Sequence, residues 1–230
     1  FFIGNLEVKL PIVQGGMGVG VSLSGLASAV ANEGGVGVIS CAGLGLIHKG
    51  HGDFLQNCIW GLQEELRIAR EKTTGIIGVN IMVALSNFAD MARTAIAEKA
   101  DIIFAGAGLP LDLPLYKTAD SETKLVPIVS SARAAKVICE KWYLNYNYLP
   151  DAIVVEGPKA GGHLGFKKDQ IFNESFSLEE ILPGVIEIAN SYKEIKQIPV
   201  IAAGGISTGS DISRLINLGV SGVQMGSIFA

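Results

Sequence analysis

The run Ala160-Gly161-Gly162-His163-Leu164-Gly165 sets one histidine on a loop stripped of bulky side chains, directly after the apolar segment Ala152–Glu156. Imidazole as a side chain titrates near working pH, which suits it to take or give a proton. Neighbouring glycines let the backbone come close to a ligand and leave the ring unobstructed. In a parallel α/β protein, the carboxyl end of a strand is where ligands bind. His163 is therefore expected to be a catalytic base and not a packed core histidine.

Three other strand ends are equally bare. Gln14-Gly15-Gly16-Met17-Gly18 follows the first apolar segment, Ala203-Gly204-Gly205-Ile206 closes the seventh, and Gln224-Met225-Gly226-Ser227 closes the eighth. Loops after the last two strands of a barrel, beside a helix N-terminus, form a common phosphate site, and Gly204, Gly205, Gly226 and Ser227 fit it. The stretch Gly15, Gly16, Met17 can lie flat against a planar ring. A flavin with its phosphate on the last two strands would span the mouth in this way. Asn80 ends Gly78-Val79-Asn80 and is expected to point into the site. Glu156 would accept from a ring N–H or a ribityl hydroxyl, or else pair with Lys159.

Eight short apolar segments must position these loops: Pro11–Gln14, Val36–Ser40, Gly75–Ile81, Asp101–Ala105, Leu125–Val129, Ala152–Glu156, Pro199–Ala203 and Gly222–Gly226. Valine and isoleucine dominate them, as in parallel strands buried on both faces. Helical patterns lie between: Leu23 to Ala31 capped by Ser22 or Ser24, Ile59 to Ala69, Phe88 to Ile96 capped by Asn87, and Ala132 to Lys141. Two more follow. One has a capping box of Ser177 with Glu180 and Pro183 in the first turn of the next helix; the other is capped by Thr208 or Ser207 and stopped by Gly219. This alternation predicts an α/β fold, a (β/α)8 TIM barrel, with a doubly wound open sheet as the competitor. Residues 1–230 read as a single barrel domain whose C-terminal part is missing, since no helix follows the last strand. Leu46 to Asn57 and Gly165 to Phe176 are long insertions on the active face and are expected to be lids.

Composition narrows the partners. The chain has 230 residues, 49% hydrophobic and 17% charged, with a net charge of −4. That balance argues against nucleic acid, which needs a basic face. No apolar run reaches a membrane-spanning length without a charge or turn. His48 and His51 form H-x-x-H with no third ligand at zinc spacing, so no metal is expected and both read as solvated loop residues. Cys41, Cys58 and Cys139 are odd in number and widely spaced, which fits packing in a reducing cytoplasm and not a disulfide framework. The apolar stretch Phe54 to Trp60 could pack on a partner subunit, giving a homodimer.

Taken together, Pro11-Ile12-Val13-Gln14-Gly15-Gly16-Met17, Gly78-Val79-Asn80, Glu156 with Ala160-Gly161-Gly162-His163, Ala203-Gly204-Gly205-Ile206 and Gln224-Met225-Gly226-Ser227 resemble the nitronate monooxygenase (2-nitropropane dioxygenase) family and the related flavin-dependent enoyl-ACP reductases. They run in family order over nearly the whole chain. The resemblance implies a barrel in which Asn80, Glu156, Gly161, Gly205 and Gln224 to Ser227 contact FMN, with Gly162 beside them. It implies that His163 acts as base or orients the substrate. An alkyl nitronate would be oxidised with O2 to a carbonyl compound and nitrite; the alternative is NAD(P)H-dependent reduction of an enoyl thioester. The resemblance also marks a departure. Glu156 stands where nitronate-oxidising members typically carry Gln, and Glu is more like the enoyl reductases.

Overall fold

Runs that are apolar on both faces can be buried only in a sheet covered on both sides, and here that sheet is curled on itself. The computed structural model describes residues 1–230. A small antiparallel pair, β1 (Phe2–Ile3) and β2 (Leu6–Glu7), comes first. Eight parallel strands follow: β3 (Ile12–Gln14), β4 (Gly37–Ser40), β5 (Ile77–Met82), β6 (Ile102–Gly106), β7 (Lys124–Val129), β8 (Ile153–Glu156), β9 (Val200–Ala203) and β10 (Gly222–Met225). Their order in the sheet is β3-β10-β9-β8-β7-β6-β5-β4. The two ends meet through a parallel bridge between Val13 and Val36, with Gln14 N donating to Val36 O and Val36 N to Ile12 O, each at 2.9 Å. The result is a nearly closed (β/α)8 barrel, and the open-sheet alternative is excluded.

Helices α1 (Ser24–Asn32), α2 (Leu44–Ile47), α3 (Phe54–Lys72), α4 (Phe88–Ala97), α5 (Ala132–Tyr146), α6 (Leu178–Ser191) and α7 (Gly209–Asn217) occupy the crossovers. Between β6 and β7 there is only a 3₁₀ turn, Leu113–Tyr116, so the alternation is one α-helix short there. Asp53 caps α3 in a box with Gln56, Ser131 caps α5, and Thr208 caps α7 in a box with Asp211. Three expected caps differ. The residue preceding α1 is Leu23, because the Ser22 hydroxyl is engaged elsewhere; Ser177 and Asn87 sit at N-cap positions without a side-chain bond. Pro183 lies inside α6 and not in its first turn.

Apolar residues form two shells. One lies between barrel and helices and includes Leu62, Leu66, Trp142, Leu182 and Leu215. The other fills the lumen with Val13, Val36, Val38, Ile102, Phe104, Val126, Val154 and Ile201, and Ile3 and Val8 from the N-terminal pair pack into it. The lumen is thus a packed core up to its last layer. No helix is long and apolar enough to cross a membrane.

Candidate active site

Residues in register on adjacent strands point to the same face of a sheet. Glu156 on β8 is in register with Ala203 on β9, Ala203 with Gln224 on β10, and Gln224 with Val13 on β3. Val13 and Ala203 belong to the lumen core, so Glu156 and Gln224 face the lumen as well. Across the barrel, Ser40 on β4 is in register with Asn80 on β5, and Asn80 with the lumen residue Phe104. A polar layer of Ser40, Asn80, Glu156 and Gln224 therefore caps an apolar core at the C-terminal ends of the strands. Above it opens a cavity of about 740 Å³.

The loop after β3 is held by two buried side chains. Gln14 Nε2 donates to Ser22 Oγ at 2.7 Å and to Val38 O at 3.0 Å, and Val38 N donates to Gln14 Oε1 at 3.1 Å. Ser22 Oγ in turn donates to Gly15 O at 3.0 Å and accepts from Met17 N at 2.9 Å. This network closes the barrel seam and fixes the glycine loop together. Gly16 lies directly on Asn80: a Cβ there would fall 2.2 Å from Asn80 Cβ. Only a residue without a side chain fits.

At the far side, Gly204 (φ +104°) and Gly205 (φ +72°) turn the chain through left-handed conformations that side chains resist. The N–H groups of Gly204, Gly205 and Gly226 donate to no other group of the chain. They are the kind of donors a phosphate would satisfy, and α7 begins just beyond, at Gly209. Glu156 has no ion-pair partner, and Lys159 does not reach it as the simple pairing would require. Burial alone pushes the Glu156 carboxyl up to about 7. His163 is exposed on the rim, and side chains built at Gly161 or Gly162 would meet open space.

Every residue expected from the sequence to hold a cofactor, together with His163, lines this one cavity. The sequence reading missed Ser40, Met82, Gly106 and Ile128, which also line the wall. Ser40 ends its strand as Asn80 does, and Met82 lies two residues beyond Asn80, so the period of a strand carries the signal for both. Neither expected lid contributes to the wall. The first is helical only at its two ends, in α2 and the start of α3, and the second carries the 3₁₀ turn Glu174–Phe176. His48 is not a freely solvated residue: its Nε2 lies 3.0 Å from Glu65 Oε1. Glu65 Oε2 accepts from Ser24 N at 2.7 Å, and His51 stacks on Trp60 with ring centroids 3.6 Å apart. All three cysteines are buried.

Comparison with known proteins points the same way. A family model described as nitronate monooxygenase matches residues 1–101 and 92–230. A probable nitronate monooxygenase of Staphylococcus aureus (strain MSSA476) is 26% identical over 260 residues, covering 97% of this chain and 65% of the relative. Its counterpart in strain Newman is 28% identical over 254 residues with the same coverage. Among solved structures, FabK from Thermotoga maritima superposes with a TM-score of 0.74 at 28% identity, over 97% of this chain and 60% of that one. A nitroalkane oxidase from Streptomyces ansochromogenes shares the fold, with a TM-score of 0.71 at 22% identity, over 96% of this chain and 66% of the other. The chain thus spans 65% of the length of the curated relatives it matches.

Proposed function

This chain belongs to the nitronate monooxygenase family, and from that premise we propose that its barrel mouth holds FMN and that the protein oxidises alkyl nitronates with O2 to a carbonyl compound and nitrite. The observation that carries the reading is the convergence of five sequence-distant motifs on one cavity of about 740 Å³, a size suited to a cofactor with a small substrate. The residues present fit the group. Gly204, Gly205, Gly226 and Ser227 would hold the phosphate through free N–H groups and one hydroxyl. Gly15, Gly16 and Met17 offer a bare surface to a ring system, with Gly161 and Gly162 on the opposite rim. Asn80, Glu156 and Gln224 would meet its polar edge, with the main chain of Met225 beside them, and Glu156 can donate a hydrogen bond when protonated.

When bound, FMN supplies the electron sink and the reaction with O2. The chain's own part is binding, exclusion of water and one proton transfer. An imidazole nitrogen of His163 takes the α-proton of a neutral nitroalkane, and the imidazolium so formed lies beside the nitronate anion it created. Lumen packing beneath the polar layer keeps bulk water from the reaction from below.

A second reading, reduction of an enoyl thioester by NAD(P)H, is favoured by one observation: the residue on β8 is Glu156 and not Gln. Small molecules are the partners in both readings, in a cytoplasmic protein. Leu46 and Phe54, each more than half exposed, would provide the face of a homodimer. The deciding experiment is the visible spectrum of the purified protein, followed under anaerobic conditions by ethyl nitronate and, separately, NADPH. Bleaching of a flavin spectrum by the nitronate, with nitrite released on aeration, supports the monooxygenase reading. Bleaching by NADPH alone supports the reductase, and a protein that takes up no FMN refutes both.

A further inference from the structure

We propose that Lys159 is a binding residue for the cofactor's phosphate, a cationic clamp laid across the glycine turn after β9. The assignment rests on the FMN reading above and goes beyond it by naming a residue that no motif singles out as an anion ligand. Lys159 lines the cavity from the loop after β8. Its stem runs over Gly205: the lysine Cβ, Cδ and Cγ lie 2.9, 3.1 and 3.6 Å from where a Gly205 Cβ would stand. The absence of a side chain at Gly205 is what lets the stem settle there.

The ammonium carried by that stem is uncommitted. Lys159 takes part in none of the chain's ion pairs. Its field reaches the first turn of α7, where it contributes to holding the Asp211 carboxyl below the usual range, after the larger effects of hydrogen bonds from Thr208 and Ser207. Asp211 does not compete strongly for that charge. Its Oδ2 already accepts from Ser207 N, Thr208 N and Thr208 Oγ1, and Arg214 Nη2 lies 3.3 Å from its other oxygen. Arg214 is itself committed to Glu179 as well. A cation with no partner is therefore carried over Gly205, in the same cavity wall as the N–H groups of Gly204, Gly205 and Gly226, which also have none. A phosphate dianion satisfies all four, and charge-assisted contacts of this kind are the stronger class.

The test compares two flavins that differ only in the phosphate. FMN and riboflavin are titrated into flavin-free protein, with binding read by flavin fluorescence. For Lys159→Ala the FMN Kd is expected to rise about five- to tenfold, while the riboflavin Kd stays within twofold. Lys159→Arg should restore most of the difference. Raising the salt to 0.5 M should bring the wild type toward the alanine variant, because the ammonium is exposed. Equal losses for both flavins would make Lys159 a packing residue and overturn the assignment, as would an unchanged FMN Kd in a wild type that binds FMN well. A wild type that binds neither flavin would overturn the FMN reading and the clamp with it.

Discussion

His163 and Glu156 are two titratable residues on one strand-and-loop unit, and their surroundings give them different work. His163 stands exposed on a glycine loop, free to meet a substrate from solvent, whereas Glu156 is largely withdrawn into the lumen layer. If His163 removes the α-proton, His163→Ala should slow turnover of neutral nitroethane by roughly 10²- to 10³-fold. Pre-formed ethyl nitronate, which has already lost that proton, should lose less than about tenfold, with FMN affinity unchanged. Equal losses on the two substrates would remove His163 from the proton transfer. Glu156 makes a prediction about stability. Its carboxyl holds a proton up to about pH 7 in the folded chain, against an ordinary value of 4.5. The folded state therefore binds more protons than the unfolded one between these values, and stability falls as pH rises through them. Glu156→Gln carries no such group. In flavin-free protein its melting temperature should match the wild type near pH 4.5 and exceed it at pH 8, by the equivalent of about 1–3 kcal/mol. Melting curves that stay parallel from pH 5 to 8 would mean that Glu156 is solvated.

Elements act on the site through the seam between β3 and β4, where the barrel closes. Gln14→Leu would leave Val38 N without its buried acceptor and take one of three hydrogen bonds from the Ser22 hydroxyl, at a cost of about 1–3 kcal/mol. Because Ser22 holds Gly15 and Met17, the FMN Kd should rise in the same variant, linking seam and loop in one measurement. Gly16→Ala tests the contact between that loop and β5. A methyl at 2.2 Å from Asn80 Cβ must push loop or strand aside, costing about 1–3 kcal/mol. The double variant with Asn80→Gly should recover part of that loss, and a purely additive result would show that the loop yields elsewhere. These elements were legible to very different degrees before the fold was known. All eight barrel strands stood out because burial on both faces leaves continuous Val- and Ile-rich runs. The pair β1 and β2 did not, since two-residue strands have no periodicity to read. Caps were misread where a serine had a stronger tertiary partner, as Ser22 has in Gln14 and Gly15. The site glycines were legible as a group, but their reasons differ: Gly16 answers to a side chain on another strand, and Gly205 to its own backbone angle and to Lys159. Neither reason lies in the local sequence.

At the scale of the whole molecule, a barrel of this kind divides its labour between its two ends, with chemistry at the carboxyl end of the strands and stability at the other. The opposite end has a polar centre of its own. Asp151, just before β8, accepts from Leu125 N at 2.8 Å, from Lys196 Nζ at 2.7 Å and from the Tyr148 hydroxyl. Lys196 also donates to Leu149 O at 2.8 Å and lies over the Tyr148 ring, 4.9 Å from its centroid. The Asp151 side chain is only 6% exposed, so removing it strands a half-buried ammonium and a strand N–H together. Loss of one partner of such a pair costs roughly 3 kcal/mol, which for a chain of this size lowers the melting temperature by roughly 6–12 °C. None of these residues lines the cavity. Asp151→Ala should therefore lower the melting temperature while leaving the FMN Kd of the folded protein within about twofold, whereas Lys159→Ala should do the reverse. If Asp151→Ala weakened FMN binding as much as it weakened the fold, the two ends of the barrel would be coupled through the lumen core. The apolar layer of Val154, Ile201 and Phe104 would then act as a transmitter between them and not as a divider.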